Sequence, residues 1–90
     1  MTNKKQNKNM IEKNLVRDKN LIVNYIKLMP NKKIGMHKHK TRKFNYILKG
    51  EMIDGKKKYK KGDLVINKKG SKHFVKAGKN GCEFLIIWNI

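Results

Sequence analysis

The chain has 90 residues, enough for one domain with a small hydrophobic core. Its formal charge is +18, a balance typical of nucleic-acid binders, but only two of the 24 basic residues, Arg17 and Arg42, are arginines. The lone Cys82 excludes an intrachain disulfide, and we expect it to be a buried packing residue. No apolar run is long enough to span a membrane, and no secretory signal is recognisable, which predicts a cytoplasmic protein.

The first third of the chain predicts strands after a polar leader. Residues 1–9 offer almost nothing to bury, so we expect them to be disordered. The segment 10–17 fits either a short helix or an edge strand. Residues 20–29 alternate apolar side chains on two faces, which predicts a strand, and Pro30-Asn31 predicts a turn before an extended segment over 34–39.

The rest of the chain predicts short strands separated by Gly, Asn and Asp. Asp54-Gly55 is a strong two-residue hairpin signal. Many short strands with regular turn signals indicate an all-β sandwich or barrel. The predicted strands after residue 42 are 43–49 (ended by Gly50), 51–53, 56–59, 64–67, 73–77 and 82–89, the last two joined by a loop over 78–81.

The histidines indicate a metal site. His37 and His39 are one residue apart, so on a strand both imidazoles point to the same face. Imidazole is a common ligand of first-row metals, and His73 would supply a third from a facing strand. Three histidines leave positions on the metal for water or substrate, as catalytic and ligand-binding sites require.

Both histidine segments resemble the two sequence motifs of the cupin family. The first motif, G-x5-H-x-H-x3/4-E-x6-G, is matched at His37, His39 and Gly50. Asn31 stands at the position of its first glycine, and Lys43 replaces its glutamate. An ammonium group near a divalent cation is repelled by it, so we expect Lys43 to be neutral, to reach the barrel mouth, or to pair with an anionic ligand. A fourth alternative is that the histidines are packing residues that bind metal poorly, and we rank it behind metal binding because the only three histidines all match the motifs.

The second motif, G-x5-P-x-G-x2-H-x3-N, is matched at Gly62, Gly70 and His73. Lys68 replaces its proline and Ala77 its asparagine. Within cupins, the segment 70–73, Gly81-Cys82 and Trp88 are most similar to a subgroup that includes the cupin domain of zinc-binding anti-sigma factors and acetylacetone-cleaving dioxygenases.

The resemblance implies a small jelly-roll β-barrel of two antiparallel sheets, with a polar tail over 1–10 and a cupin domain over 11–90. It implies that His37, His39 and His73 hold a divalent metal, Zn, Fe, Mn or Ni. The pocket would be lined by Lys43, Asn45 and Ile47, with Lys43 the candidate catalytic residue. Strands with two apolar faces, in a family whose small members commonly pair through their sheets, predict a homodimer.

Three functions are compatible with this pattern. The first is a module that binds a divalent metal and a small ligand. The second is a metal-dependent, dioxygenase-like enzyme acting on a small organic substrate. The third is a basic protein that associates with nucleic acid; we favour it less, because an AT-rich genome also produces this lysine-rich composition.

Overall fold

The computed structural model is built of strands, and it describes residues 4–6, 8–36, 42–67 and 73–89. No helix occurs in these ranges. The strands are β1 (Lys4–Gln6), β2 (Met10–Arg17), β3 (Leu21–Leu28), β4 (Lys33–Met36), β5 (Lys43–Asp54), β6 (Lys57–Lys60), β7 (Leu64–Asn67) and β8 (His73–Asn89).

All strand pairs are antiparallel, and two long strands hold the barrel together. The order across the network is β1-β2-β3-β8-β5-β6. Strand β4 pairs with the first half of β8, whereas β3 pairs with its second half. Strand β7 pairs with the first half of β5, and β6 pairs with its second half. Because β5 and β8 run through both layers of the jelly roll, they join the layers into one hydrogen-bonded network.

The core lies between the layers and draws side chains from both halves of the long strands. Phe84, Ile47 and Met52 are completely buried, and Val75 and Ala77 join them from the first half of β8. Burying a side chain of this size stabilises the fold by about 1.5–3 kcal/mol. The core cluster comprises Ile26, Leu28, Ile47, Met52, Val65, Val75, Ala77, Cys82, Phe84 and Ile86.

Strands β5 and β8 change register together at two glycines. The β5–β8 ladder shifts between Ile47 and Lys49 and again between Gly50 and Met52. Gly50 and Gly81 have φ angles of 77° and 81°, in the left-handed region that side chains rarely adopt. A Cβ on Gly50 would lie 2.2 Å from the Gly81 carbonyl oxygen. Bulges of this kind bend a strand, and here they turn both strands from one layer into the other.

The structure corrects the prediction of separate strands on either side of Gly50 and of the segment 78–81. Both places are bulges inside continuous strands, because the backbone ladder continues across them. The segment 10–17 is a strand, which settles the alternative between helix and strand. Strand β1 lies inside the segment predicted to be a polar tail, where it pairs with β2.

Two predicted turns are present, one with a shift. Asn31 has a φ of 60°, in the left-handed region, which asparagine adopts more readily than most residues. In the hairpin between β5 and β6, Asp54 pairs with Lys57, so the two loop residues are Gly55 and Lys56. Gly55, with a φ of 62°, occupies the first loop position, where a type II′ turn requires glycine.

We predict that alanine at Gly50 destabilises the fold far more than alanine at Gly55. Both residues have positive φ, so both variants carry a strain of about 1–2 kcal/mol. Only at Gly50 does the new Cβ collide with backbone, whereas nothing lies within 4 Å at Gly55. Urea unfolding should show a loss of about 4 kcal/mol or more for Gly50→Ala. Equal losses would show that the close approach to Gly81 does not constrain the fold.

Candidate functional site

The strand register pairs the residue that precedes His37 with His73. Met36, the last residue of β4, pairs with His73, the first residue of β8. His37 directly follows Met36 in the sequence. His37 and His39 lie outside the described residues, as does the side chain of His73. Within the described residues there is no group of three His, Cys, Asp or Glu side chains able to hold a metal.

The three predicted lining residues share the inner face of β5. Asn45 and Ile47 are completely buried, whereas Tyr46 between them is exposed. Lys43 has the same parity as Asn45 and is half-buried. Every other lysine whose side chain is described is exposed. Lys43 is therefore the one described lysine that the fold directs toward the barrel interior.

Two buried asparagines on this inner face have amide atoms without a hydrogen-bond partner among the described residues. These atoms are Asn45 Oδ1 and Asn67 Nδ2. The exposed fractions of the two side chains are 0% and 4%. Asn45 Nδ2 makes only a weak contact with Met52 Sδ, at 4.0 Å. A buried polar group left unpaired costs about 1–3 kcal/mol, so the barrel carries a hydrogen-bonding capacity that its own described side chains do not use.

Lys43 packs on the single tryptophan of the chain. Its Nζ lies 4.5 Å from the centroid of the Trp88 ring, within the range of a cation–π interaction. The register explains the contact, because Lys43 and Trp88 are directly paired between β5 and β8. Burial lowers the pKa of Lys43, and the negative charge of Glu12 opposes that shift. Lys43 thus has an aromatic face and a carboxylate as neighbours inside the barrel.

Glu12 belongs to a hydrogen-bonded chain of polar residues that the sequence did not reveal. Asn24 Nδ2 donates to Glu12 Oε2 at 2.9 Å, and Asn14 Nδ2 donates to Asn24 Oδ1 at 2.8 Å. Once 10–17 is a strand, Glu12 and Asn14 fall on one face. The alternation of residues along 10–17 could have placed Glu12 and Asn14 on one face, but only if the segment had been predicted as a strand rather than left open between helix and strand.

Cys82 is a packing residue, as expected. It is buried in the core, and burial, with the charges of Glu83 and Glu51 as further causes, raises the pKa of its thiol to about 12. A thiol of this kind is not a nucleophile at neutral pH, since the thiolate is the reactive species.

The opposite face of the same strands carries a continuous array of apolar side chains, which we call the outer apolar face. It spans β7, β5, β8 and β3 in two rows of directly paired residues. Leu64 and Ile66 are 54% and 56% exposed, and Tyr46 is also exposed. The rows are Ile66, Phe44, Ile87 and Val23, and Leu64, Tyr46, Leu85 and Tyr25.

Tyr25, at one corner of the outer apolar face, donates a hydrogen bond from its hydroxyl to Glu83 Oε1. Burial, this hydrogen bond and the charge of Glu83 together raise the pKa of Tyr25 to about 12. Glu83 is half-buried.

The jelly-roll barrel, whose strand register pairs Met36 with His73, is that of a cupin. Residues 10–88 match the family model of the ChrR cupin-like domain. This match covers most of the chain, and the chain belongs to that family. No curated protein sequence matches it.

Solved structures agree with the fold. KdgF from Halomonas sp. is 13% identical, with a TM-score of 0.85, over 97% of this chain and 84% of that one. An RmlC-like cupin from Shewanella frigidimarina is 16% identical, with a TM-score of 0.82, over 98% and 83%. The anti-sigma protein ChrR of Rhodobacter sphaeroides, solved in complex with SigE, is 17% identical, with a TM-score of 0.80, over 88% and 44%. At these identities the similarity establishes the fold alone.

The described part of the chain has no helix long and apolar enough to cross a bilayer.

We predict that replacing Asn45 by leucine stabilises the protein in the absence of ligand. Leucine keeps the branch at Cγ and removes the unpaired buried acceptor, which should raise the free energy of unfolding by about 1–3 kcal/mol. Thermal or urea unfolding measures the change. Ile47→Ala, on the same buried face, is the control and should cost about 2–5 kcal/mol. A large loss for Asn45→Leu would mean that the amide has a structural partner.

Proposed function

We propose that this protein is a cupin module that binds one divalent metal through His37, His39 and His73, together with a small ligand. The observation that best supports the proposal is the pairing of Met36 with His73, which brings the end of β4, one residue before His37 in the sequence, to the first residue of β8. The family match supports it as well, since the motif histidines fall within residues 10–88. Zn, Fe, Mn and Ni all accept imidazole ligands.

The arrangement of Lys43 is compatible with a metal in the same barrel. Lys43 replaces the glutamate of the motif, so its ammonium would repel a nearby divalent cation. That ammonium is held against Trp88 and lies within the electrostatic reach of Glu12. Both interactions hold the ammonium over its own layer, on the side of β5 that carries β8, β3 and β2. Asn45, whose Oδ1 is free among the described residues, adds a neutral oxygen on the inner face.

An enzymatic role is the alternative supported by the same residues. A metal-dependent oxygenase needs a group beside the metal that orients substrate or transfers a proton, and the inner candidates are Lys43, Asn45 and Glu12. Oxygen consumption by iron-loaded protein, with and without diketones and small organic acids, distinguishes an enzyme from a sensor.

Association with nucleic acid is the third candidate. The structure places Lys60, Lys61 and Lys79 around a surface depression of about 320 Å³ beside β6. Lysines on an exposed edge strand also prevent strand-to-strand aggregation, which gives Lys60, at the end of β6, a structural reason of its own. Absence of binding to duplex DNA and to RNA at low salt, where the electrostatic contribution is largest, would exclude this role.

We predict about one metal ion per chain in protein purified without chelator, measured by elemental analysis and by calorimetric titration of the stripped protein. The double variant His37→Ala/His39→Ala should retain no more than a trace, because two of three ligands are lost. Lys58→Ala, at an exposed position of β6, is the control and should bind normally. Stripped wild-type protein that takes up none of the four metals would refute the metal proposal.

We also propose that the outer apolar face is covered by a second copy of this chain. A twofold interface must complement itself, and an uncharged array of eight apolar and aromatic residues does so. With a net charge of +18, two copies repel each other, and this face allows them to approach without lysines in direct contact. The next row along the same strands returns to charge, with Lys27 and Lys49 on either side of Glu83.

The double variant Leu64→Lys/Ile66→Lys should be monomeric, since it puts two charges into each copy of the face. Sedimentation velocity of wild type and variant measures the change. Phe74→Lys is the matched control: Phe74 is 62% exposed but lies outside the outer apolar face, so this variant should remain dimeric. A monomeric wild type, or a variant that still forms dimers, contradicts the proposed interface.

A further inference from the structure

Three polar residues inside the barrel form a cluster that its metal-binding role does not require. We call Lys43, Asn45 and Asn67 the inner polar trio. Lys43 pairs directly with Asn67 across β5 and β7. Asn45 lies two residues along β5 on the same face, and diagonal to Asn67. Directly paired side chains have Cβ atoms roughly 5 Å apart and diagonal ones roughly 7 Å apart, so the three side chains start close together on one face. The Lys43 ammonium lies over Trp88 and has to swing toward β7 to share a ligand with Asn67.

Together the three residues of the trio offer a ligand two hydrogen-bond donors and one acceptor. Lys43 offers an ammonium, Asn67 offers an unpaired N–H donor, and Asn45 offers an unpaired carbonyl acceptor. The assignment of Asn45 follows from its weak contact to Met52, in which Nδ2 is the donor and Oδ1 remains free. A matching ligand carries a negatively charged acceptor and, close to it, a hydroxyl donor.

We propose that the inner polar trio binds a small hydroxycarboxylate, with its carboxylate on Lys43 Nζ and Asn67 Nδ2 and its hydroxyl donating to Asn45 Oδ1. This inference rests on the proposed function in one respect, that the barrel interior is the ligand site. It does not require the metal, because all three groups belong to β5 and β7.

The surroundings of Lys43 fit an anion on one side only. Glu12, hydrogen-bonded to Asn24, lies on β2, toward the opposite edge of the layer from β7. Lys43 on β5 therefore lies between a carboxylate of the protein and the amide pair. An anion bound at the amide pair would compensate the buried ammonium, while Glu12 would oppose that anion through charge repulsion.

The single tryptophan gives a direct measurement. Because Lys43 Nζ lies over the Trp88 ring, an anion drawn to Lys43 should change Trp88 fluorescence. The experiment titrates sodium lactate and sodium propionate, at matched ionic strength, into stripped and metal-loaded protein. We expect lactate to bind at least tenfold more tightly than propionate in both forms, since propionate lacks the hydroxyl.

Four variants identify the groups responsible. Lys43→Met keeps an apolar stem on Trp88 and should weaken lactate binding at least tenfold. Binding to this variant is measured by calorimetry, because the substitution itself alters Trp88 fluorescence. Asn45→Leu should remove the preference for lactate over propionate. Glu12→Gln should tighten the binding of both acids, because it removes a repelling charge. Lys58→Met, which removes an exposed cation, is the control and should bind as wild type does.

The outcomes separate this inference from the metal proposal. Lactate binding in stripped protein that depends on Lys43 supports the trio even if no metal binds. Lactate binding that occurs only in metal-loaded protein and is unchanged in Lys43→Met overturns it, because the acid would then be a metal ligand. Equal binding of lactate and propionate, or no binding of either by fluorescence and calorimetry, also overturns it.

Discussion

The close approach of Gly50 to Gly81 is the constraint on which the architecture depends. A side chain at Gly50 would overlap the carbonyl of Gly81, so the two backbones meet at a distance that only glycine allows. At this point β5 and β8 bend together and pass from one layer of the barrel to the other. The two layers share a core because they share these strands, and the ends of β8 carry His73 on one side and Trp88 on the other.

The layer formed by β7, β5, β8 and β3 has polar residues on its inner face and exposed apolar residues on its outer face. The inner face carries Lys43, Asn45 and Asn67 among its apolar residues, whereas the outer face presents an uncharged array. Polar groups inside and exposed apolar groups outside both cost stability in an isolated monomer. A ligand within the barrel and a second copy outside it would offset these two costs, and the same strands would serve both.

Much of the fold was readable from local pattern, and the failures have identifiable causes. The sequence predicted a short strand over 64–67 between turn signals, and β7 has those bounds, yet the apolar Leu64 and Ile66 point outward while Asn67 points inward. Side chains alternate between the two faces of a strand, but the strand's own sequence does not say which face is buried, because pairing with neighbouring strands decides that. For the same reason Glu12 and Asn67 could not be recognised as neighbours of the candidate site.

By itself, the sequence determined the strand periodicity, most turns, the spacing of His37, His39 and His73, and the substitution of Lys43 for the motif glutamate. These are local properties, set by side-chain alternation, backbone preference and short-range spacing. Tertiary structure alone decided that β5 and β8 continue through their glycines, that Lys43 packs on Trp88, and that Glu12 lies within its electrostatic reach. Those relations join residues far apart in the chain, and they exist only where the register of paired strands brings their side chains together.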